Sequence, residues 1–131
     1  MKLNGKSIVV TGASSGMGKA IVERFAKEGG NIIAVARRKE RLDELAASLK
    51  DAPGKVVPFA GDVSKEETMV SAIDLAVKEF GRLDVLVNNA GIMDDMSPIG
   101  DVKNEKIDQV FAVNVYGPMY SMRKAVQVFL E

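Results

Sequence analysis

The stretch from Ser7 to Gly18 constrains this chain more than any other. Ile8-Val9-Val10 is a short apolar run that reads as a buried strand. It enters a turn carrying Gly12, Gly16 and Gly18, and an amphipathic helix follows with Met17, Ile21 and Phe25 four apart on one face. The unpaired N–H groups of a first helical turn point into such a loop, and the helix dipole favours negative charge there. Glycines remove the Cβ atoms that would hold a phosphate away from the backbone. The turn is therefore expected to hold a diphosphate. Its spacing, G-x-x-x-G-x-G, is neither the common G-x-G-x-x-G dinucleotide fingerprint nor a P-loop. Lys19 follows Gly18, but no Ser or Thr comes after it.

The rest of the chain alternates strand and helix. Gly29-Gly30 ends the first helix, and Asn31–Ala36 reads as the second strand. A helix with Leu42, Leu45 and Leu49 facing inward follows, then a turn at Asp51-Ala52-Pro53-Gly54. Val56–Ala60 reads as a third strand, and Pro58, which cannot donate to a ladder, places it at a sheet edge. Ser64 is the expected N-cap of the next helix, with Glu67 at the capping-box position. That helix is expected to bury Val70, Ile73, Val77 and Phe80 and to end at Gly81. Leu83–Val87 reads as the fourth strand. A loop then runs to about Asn104, and a long helix continues to the C-terminus.

Short turns between alternating strands and helices mean right-handed βαβ units and a parallel sheet. The predicted fold class is α/β, a Rossmann-type doubly wound parallel sheet in the order 3-2-1-4, with residues 1–131 forming one dinucleotide-binding domain. Strand three is then an edge, in agreement with Pro58. The ligand crevice lies at the carboxyl ends of strands one and four.

Composition removes several chemistries. Neither cysteine nor histidine occurs, so thiol nucleophiles, Ser-His-Asp catalysis and His- or Cys-ligated metals are excluded. Acid–base work at neutral pH must come from Tyr, Lys, Asp or Glu. Adjacent Asp94 and Asp95 read as solvated loop acids, and no metal is expected. Eighteen basic residues balance eighteen acidic ones, which gives no electrostatic footprint for nucleic acid or an anionic membrane. No apolar run approaches the roughly 20 residues of a membrane span. The N-terminus has no signal-peptide core, so the cytoplasm is the expected location.

The turn Thr11-Gly12-Ala13-Ser14-Ser15-Gly16-Met17-Gly18 resembles the T-G-x-x-x-G-x-G cofactor turn of the short-chain dehydrogenases/reductases. Asn88-Asn89-Ala90-Gly91 resembles that family's N-N-A-G motif after the fourth strand, and Asn114-Val115-Tyr116-Gly117 its N-x-x-G. The resemblance covers nearly all of this chain but only the first half of the family's domain. It implies an oxidoreductase that transfers hydride between a nicotinamide cofactor and a small carbonyl or alcohol substrate. Gly12, Ser14, Ser15, Gly16, Met17 and Gly18 would hold the cofactor's diphosphate side. Asp62 would touch the adenine edge, with Val63 beside it. Asn89, Ala90 and Gly91 would pass close to the adenine ribose, with Val113 also at the cofactor, while Asn88 locks the strand ends together. Asn114 would be the catalytic residue present, its main-chain carbonyl holding a water of the proton relay. Local chemistry agrees: Pro118 has no N–H to give the Asn114 carbonyl, and Gly117 loosens the turn. A kink near residues 114–118 is expected, although packing alone would also explain a proline there.

The end of strand two bears on which cofactor. Sites for NAD place Asp or Glu there to hold the ribose 2′-hydroxyl. Here Val35-Ala36-Arg37-Arg38 offers no acid before Glu40. Two guanidiniums suit a 2′-phosphate, so Arg37 and Arg38 point to NADP(H) over NAD(H). The same run, with Lys39 and Arg41, also fits a solvated basic helix start.

Tyr120-Ser121-Met122-Arg123-Lys124 fits the family's catalytic Y-x-x-x-K in letters only. Six helical steps of about 100° carry Tyr120 well round the helix from Asn114 and about 9 Å along it. Tyr120 is expected to pack, Lys124 to face solvent, and Phe111, Met119, Met122, Val126 and Phe129 to form core or interface. The family's Ser and Tyr/Lys pair are therefore not found, and the chain as given is expected not to turn over. Self-association through the last helix, as a homo-oligomer, is expected. A non-catalytic dinucleotide-binding module that self-associates is the alternative. A flavin- or phosphate-sensing domain is disfavoured by the absence of an aromatic flavin sandwich and of an Asp cluster at strand ends.

Overall fold

A computed structural model describes residues 1–131. Four parallel strands, β1 (Ser7–Thr11), β2 (Asn31–Ala36), β3 (Val56–Ala60) and β4 (Val85–Val87), form one sheet in the order β3-β2-β1-β4. Pro58 lies on the edge strand β3, paired in register with Ala34 of β2. Strand β4 is shorter than the expected Leu83–Val87, because Asp84 leaves the ladder on the Ser7 side: its N–H donates to the Ser7 carbonyl and its carboxylate accepts from the Ser7 N–H at 2.8 Å.

Alternating side chains feed two cores. Ile8, Val10, Ile32 and Ala34 meet α1 (Gly16–Lys27) and α2 (Lys39–Ser48) on one face. Val9, Ile33 and Val35 meet α3 (Glu66–Phe80) and α5 (Gly117–Phe129) on the other. Both faces are covered, which is why the strands read as apolar runs. Leu42, Leu45 and Leu49 are buried as expected.

Two helices are turned from their expected faces. On α1 the buried line is Gly18, Val22 and Ala26, with Ile21 and Phe25 half-buried and Met17 76% exposed. Gly18 causes this, since a Cβ there would overlap the Gly12 carbonyl oxygen and crowd the Asn89 amide. The helix sits with Gly18, not Met17, against the turn. On α3 Ile73 is buried as expected, but its fully buried companions are Met69, Ala72 and Ala76, while Val77 and Phe80 pack half-buried against the same core and Val70 is half-buried. This helix packs between the sheet and α5, and Ala72 and Ala76 alternate with the larger Met69 and Ile73 along its buried line. Its cap also differs from expectation. The helix begins at Glu66, and the Ser64 hydroxyl donates to Asp62 Oδ1 at 2.7 Å instead of capping it. Gly81 does close the helix in left-handed conformation (φ 79°), its N–H donating to the Val77 carbonyl.

Beyond β4, a single turn of 3-10 helix (Ile99–Asp101) interrupts the expected loop. Helix α4 (Asn104–Phe111) then runs through a π-helical segment (Ala112–Tyr116) into α5. The proline is accommodated by this widened turn: the Gly117 N–H donates to the Ala112 carbonyl five residues back. Gly117 is needed there for a second reason, since its Cβ would lie 2.6 Å from the Val63 carbonyl oxygen. No helix is long and apolar enough to cross a membrane.

Candidate functional site

A crevice of about 800 Å³ opens at the carboxyl ends of β1, β2 and β4. Its wall contains Gly12, Ser14, Ser15, Arg37, Arg38, Asp62, Val63, Ala90, Gly91 and Val113, all of them singled out from the sequence, together with Ala36, Arg41 and Ile92. Gly18 and Asn89 lie behind the wall and support it, as does Asn114. Gly16 and Met17 are exposed at the start of α1.

The floor is held by one hydroxyl. Thr11 Oγ1, at the end of β1 and almost fully buried, accepts from the N–H of Asn89 (3.1 Å) and of Ala90 (3.0 Å). It also approaches the Val87 carbonyl at 3.5 Å. The Asn89 amide reaches back to the Gly12 carbonyl at 3.3 Å. The strand ends are thus locked by Thr11 and Asn89, not by Asn88 as expected. Asn88 instead joins β4 to α5: its Oδ1 lies 2.8 Å from the buried Ser121 hydroxyl, which also sits 2.9 Å from the Pro118 carbonyl. Ser121 carried no sequence signal, because a serine inside an apolar helix reads as filler until its partner is placed.

Asn114 acts on the opposite wall. Its Oδ1 accepts from the Ile92 N–H (2.8 Å) and its Nδ2 donates to the Ile92 carbonyl (2.7 Å). The side chain therefore pins the segment after Gly91 with both ends of its amide. Its own main-chain carbonyl has no α-type partner, because Pro118 lacks an N–H.

Asp62 is held ionised. The Ser64 hydroxyl and backbone N–H both donate to its Oδ1, and with the nearby Arg37 guanidinium they outweigh burial and bring its pKa below the usual carboxylate range. Asp94 and Asp95 cap their own loop, accepting from the N–H groups of Met96 and Ser97. No three acidic side chains converge.

Tyr120 and Lys124 stand away from the crevice. Tyr120 is half-buried under the Arg123 guanidinium, 5.7 Å from the ring centroid. Lys124 does not face solvent as expected: its Nζ pairs with Asp74 of α3 at 3.2 Å, because α5 lies along α3.

The family model for short chain dehydrogenases matches residues 6–131. The chain belongs to this family. A 3beta-hydroxysteroid dehydrogenase 2 of Eggerthella lenta is 38% identical over 129 residues, 98% of this chain and 50% of the relative. A metagenomic short-chain oxidoreductase solved in complex with NADP superposes with a TM-score of 0.92 at 31% identity, covering 99% of this chain and 59% of that one. A 3-ketoacyl-(acyl-carrier-protein) reductase from Brucella melitensis, complexed with NADH, gives 0.89 at 36% identity over 96% of this chain and 50% of the other. The chain spans about half the length of the curated relatives it matches.

Proposed function

We propose that residues 1–131 form one dinucleotide-binding domain of an NADP(H)-dependent oxidoreductase acting on a carbonyl or alcohol. The observation that carries this reading is the crevice itself, where a glycine floor meets two unpaired guanidiniums, Arg37 and Arg38, on the β2 side. Gly12 and Gly18 are required by packing, since a Cβ on either would meet Asn89, whereas the space where a Gly16 Cβ would stand is open and leaves the backbone at the start of α1 accessible to a diphosphate. Ser14, Ser15 and Gly16 at the start of α1 would take the diphosphate, with Met17 and Gly18 completing that turn. Asp62 and Val63 would take the adenine, and Asn89, Ala90, Gly91 and Val113 the adjacent ribose and crevice wall. Arg37 and Arg38 would hold the 2′-phosphate. When bound, the cofactor supplies the hydride chemistry. Asn114 would fix the Ile92 segment through its side chain and order a water through its carbonyl. Among its relatives, one is solved with NADP and another with NADH, so the preference rests on Arg37 and Arg38.

Of the residues implied for proton transfer, only Asn114 is present, so the 131-residue chain binds dinucleotide without turnover. Titration with NADPH and NADH in parallel, followed by nicotinamide fluorescence, tests the reading. Saturable binding that favours NADPH is expected; equal affinity for both would remove the assignment of Arg37 and Arg38.

The alternative, a non-catalytic module that self-associates, draws on a different surface. Ile107, Phe111, Val115, Met119, Met122, Val126 and Phe129 are 38–58% exposed, at steps of four or three along α4 and α5. We propose a second copy of the chain as the partner of this stripe. Sedimentation of the wild type and of Phe111→Glu/Met119→Glu tests it, and a monomeric wild type would count against it.

A further inference from the structure

The basic run after β2 is sorted by the structure into two kinds of cation. Lys39 is neutralised, its Nζ bonded to Asp43 at 2.9 Å, and it lies outside the crevice wall. Arg37, Arg38 and Arg41 all line the crevice, and none of them is in an ion pair. The cation removed from the site is the one given a partner. Arg41 has a further distinction. A second cavity of about 490 Å³ adjoins the first, and the residues common to both walls are Ser14, Ser15 and Arg41. Lys19 and Glu44 complete the charged part of that second wall. Arg41 is therefore the cation of α2 that shares both cavities with the two serines of the glycine turn. Three guanidiniums share the crevice wall with one carboxylate, Asp62.

A monoester phosphate carries a charge of about −1.5 to −2 at neutral pH and offers three acceptor oxygens, each able to accept more than one N–H, so a third guanidinium finds acceptor positions that two bidentate ones leave open. We infer that Arg41 is a third specificity-determining residue: it binds the ribose 2′-phosphate from the α2 side, while Arg37 and Arg38 bind from the β2 side. This rests on the NADP(H) reading above and adds a residue to it. A 2′-hydroxyl in the same place would leave Arg41 without a ligand, so its contribution falls on one cofactor and not the other.

Calorimetric titration of the chain with adenosine 2′,5′-bisphosphate and, in parallel, 5′-AMP isolates that contribution without any turnover. Arg41→Gln is expected to weaken the bisphosphate roughly tenfold and to leave 5′-AMP unchanged. It should also reduce the salt dependence of bisphosphate binding. Arg41→Lys is expected to fall between, because an ammonium keeps the charge but loses the planar fork. Lys39→Gln, outside the wall, should match the wild type. Arg41 is exposed, and circular dichroism of each variant checks that the fold is retained. If the wild type shows a bisphosphate preference that Arg38→Gln lowers and Arg41→Gln does not, this inference falls while the NADP(H) reading stands. If the wild type shows no such preference, or binds neither probe, both fall.

Discussion

The floor and the rim of the crevice are built on opposite principles. The floor is crowded and internally bonded: Thr11 is almost fully buried, Gly18 touches the Gly12 carbonyl, and Asn89 closes the gap between β1 and β4. The rim is a set of exposed arginines with no ion-pair partner inside the chain. A floor of this kind fixes where two strands end and permits no added atom. A rim of this kind leaves its energy available to a ligand. On the function proposed above, the floor decides whether a dinucleotide binds and the rim decides which one.

If so, floor substitutions should cost stability first, and rim substitutions should cost only discrimination. The largest effect is expected from Gly18→Val, which drives a branched side chain into the Gly12 carbonyl. It should destabilise by about 3 kcal/mol or more and abolish nucleotide binding, read by denaturant unfolding and fluorescence titration. A variant as stable as the wild type would show that α1 can move off the turn. Thr11→Val comes next. It keeps the shape but strands two N–H groups, those of Asn89 and Ala90, for a loss of about 2–4 kcal/mol. Thr11→Ser should recover most of it; equal losses in both variants would mean the methyl, not the hydroxyl, matters. On the rim, Arg38→Gln should lower NADPH affinity by about tenfold, leave NADH unchanged and not move the unfolding midpoint. A comparable loss for NADH would merge rim with floor.

The smallest effect is a reference point at the far end of the sheet. Burial acts to raise the Asp84 pKa, yet the Ser7 N–H and the Arg82 guanidinium outweigh it and hold the carboxyl below its usual range. A depressed folded pKa stabilises above the unfolded value of about 3.9 and loses that contribution as pH falls through the folded value. Asp84→Asn should therefore flatten the acid side of the stability profile below about pH 4, with nucleotide selectivity untouched. An unchanged acid limb would show that this carboxylate is not the one being titrated.

How much of this was readable beforehand follows from the range of the forces involved. The strands, the edge position of Pro58, the Gly81 stop and the crevice wall were legible because each follows from local pattern or from strand order. The rotation of α1 was not, because it depends on a contact between Gly18 and Gly12 that no hydrophobic count records. Ser64 has the residue type of a cap, but Asp62, two residues earlier, competes for its hydroxyl and wins. Lys124 looked solvated until α3 supplied Asp74, and Ser121 became a tie only once Asn88 was opposite it. On the rim, Arg41 was visible as a charge, but its wall position depends on how α2 leaves β2.

The π-helical turn at Ala112–Tyr116 also sets a phase. Ile107, Phe111, Val115 and Met119 follow one another at intervals of four. In an unbroken α-helix each such interval advances by about 40°, so three would carry the last side chain about 120° around the axis from the first. The extra residue in the widened turn gives back about 100° of that. Like a leap day in a calendar, it returns a drifting cycle to its date: the apolar residues of α4 stay aligned with those of α5 because one residue between them is counted and not wound.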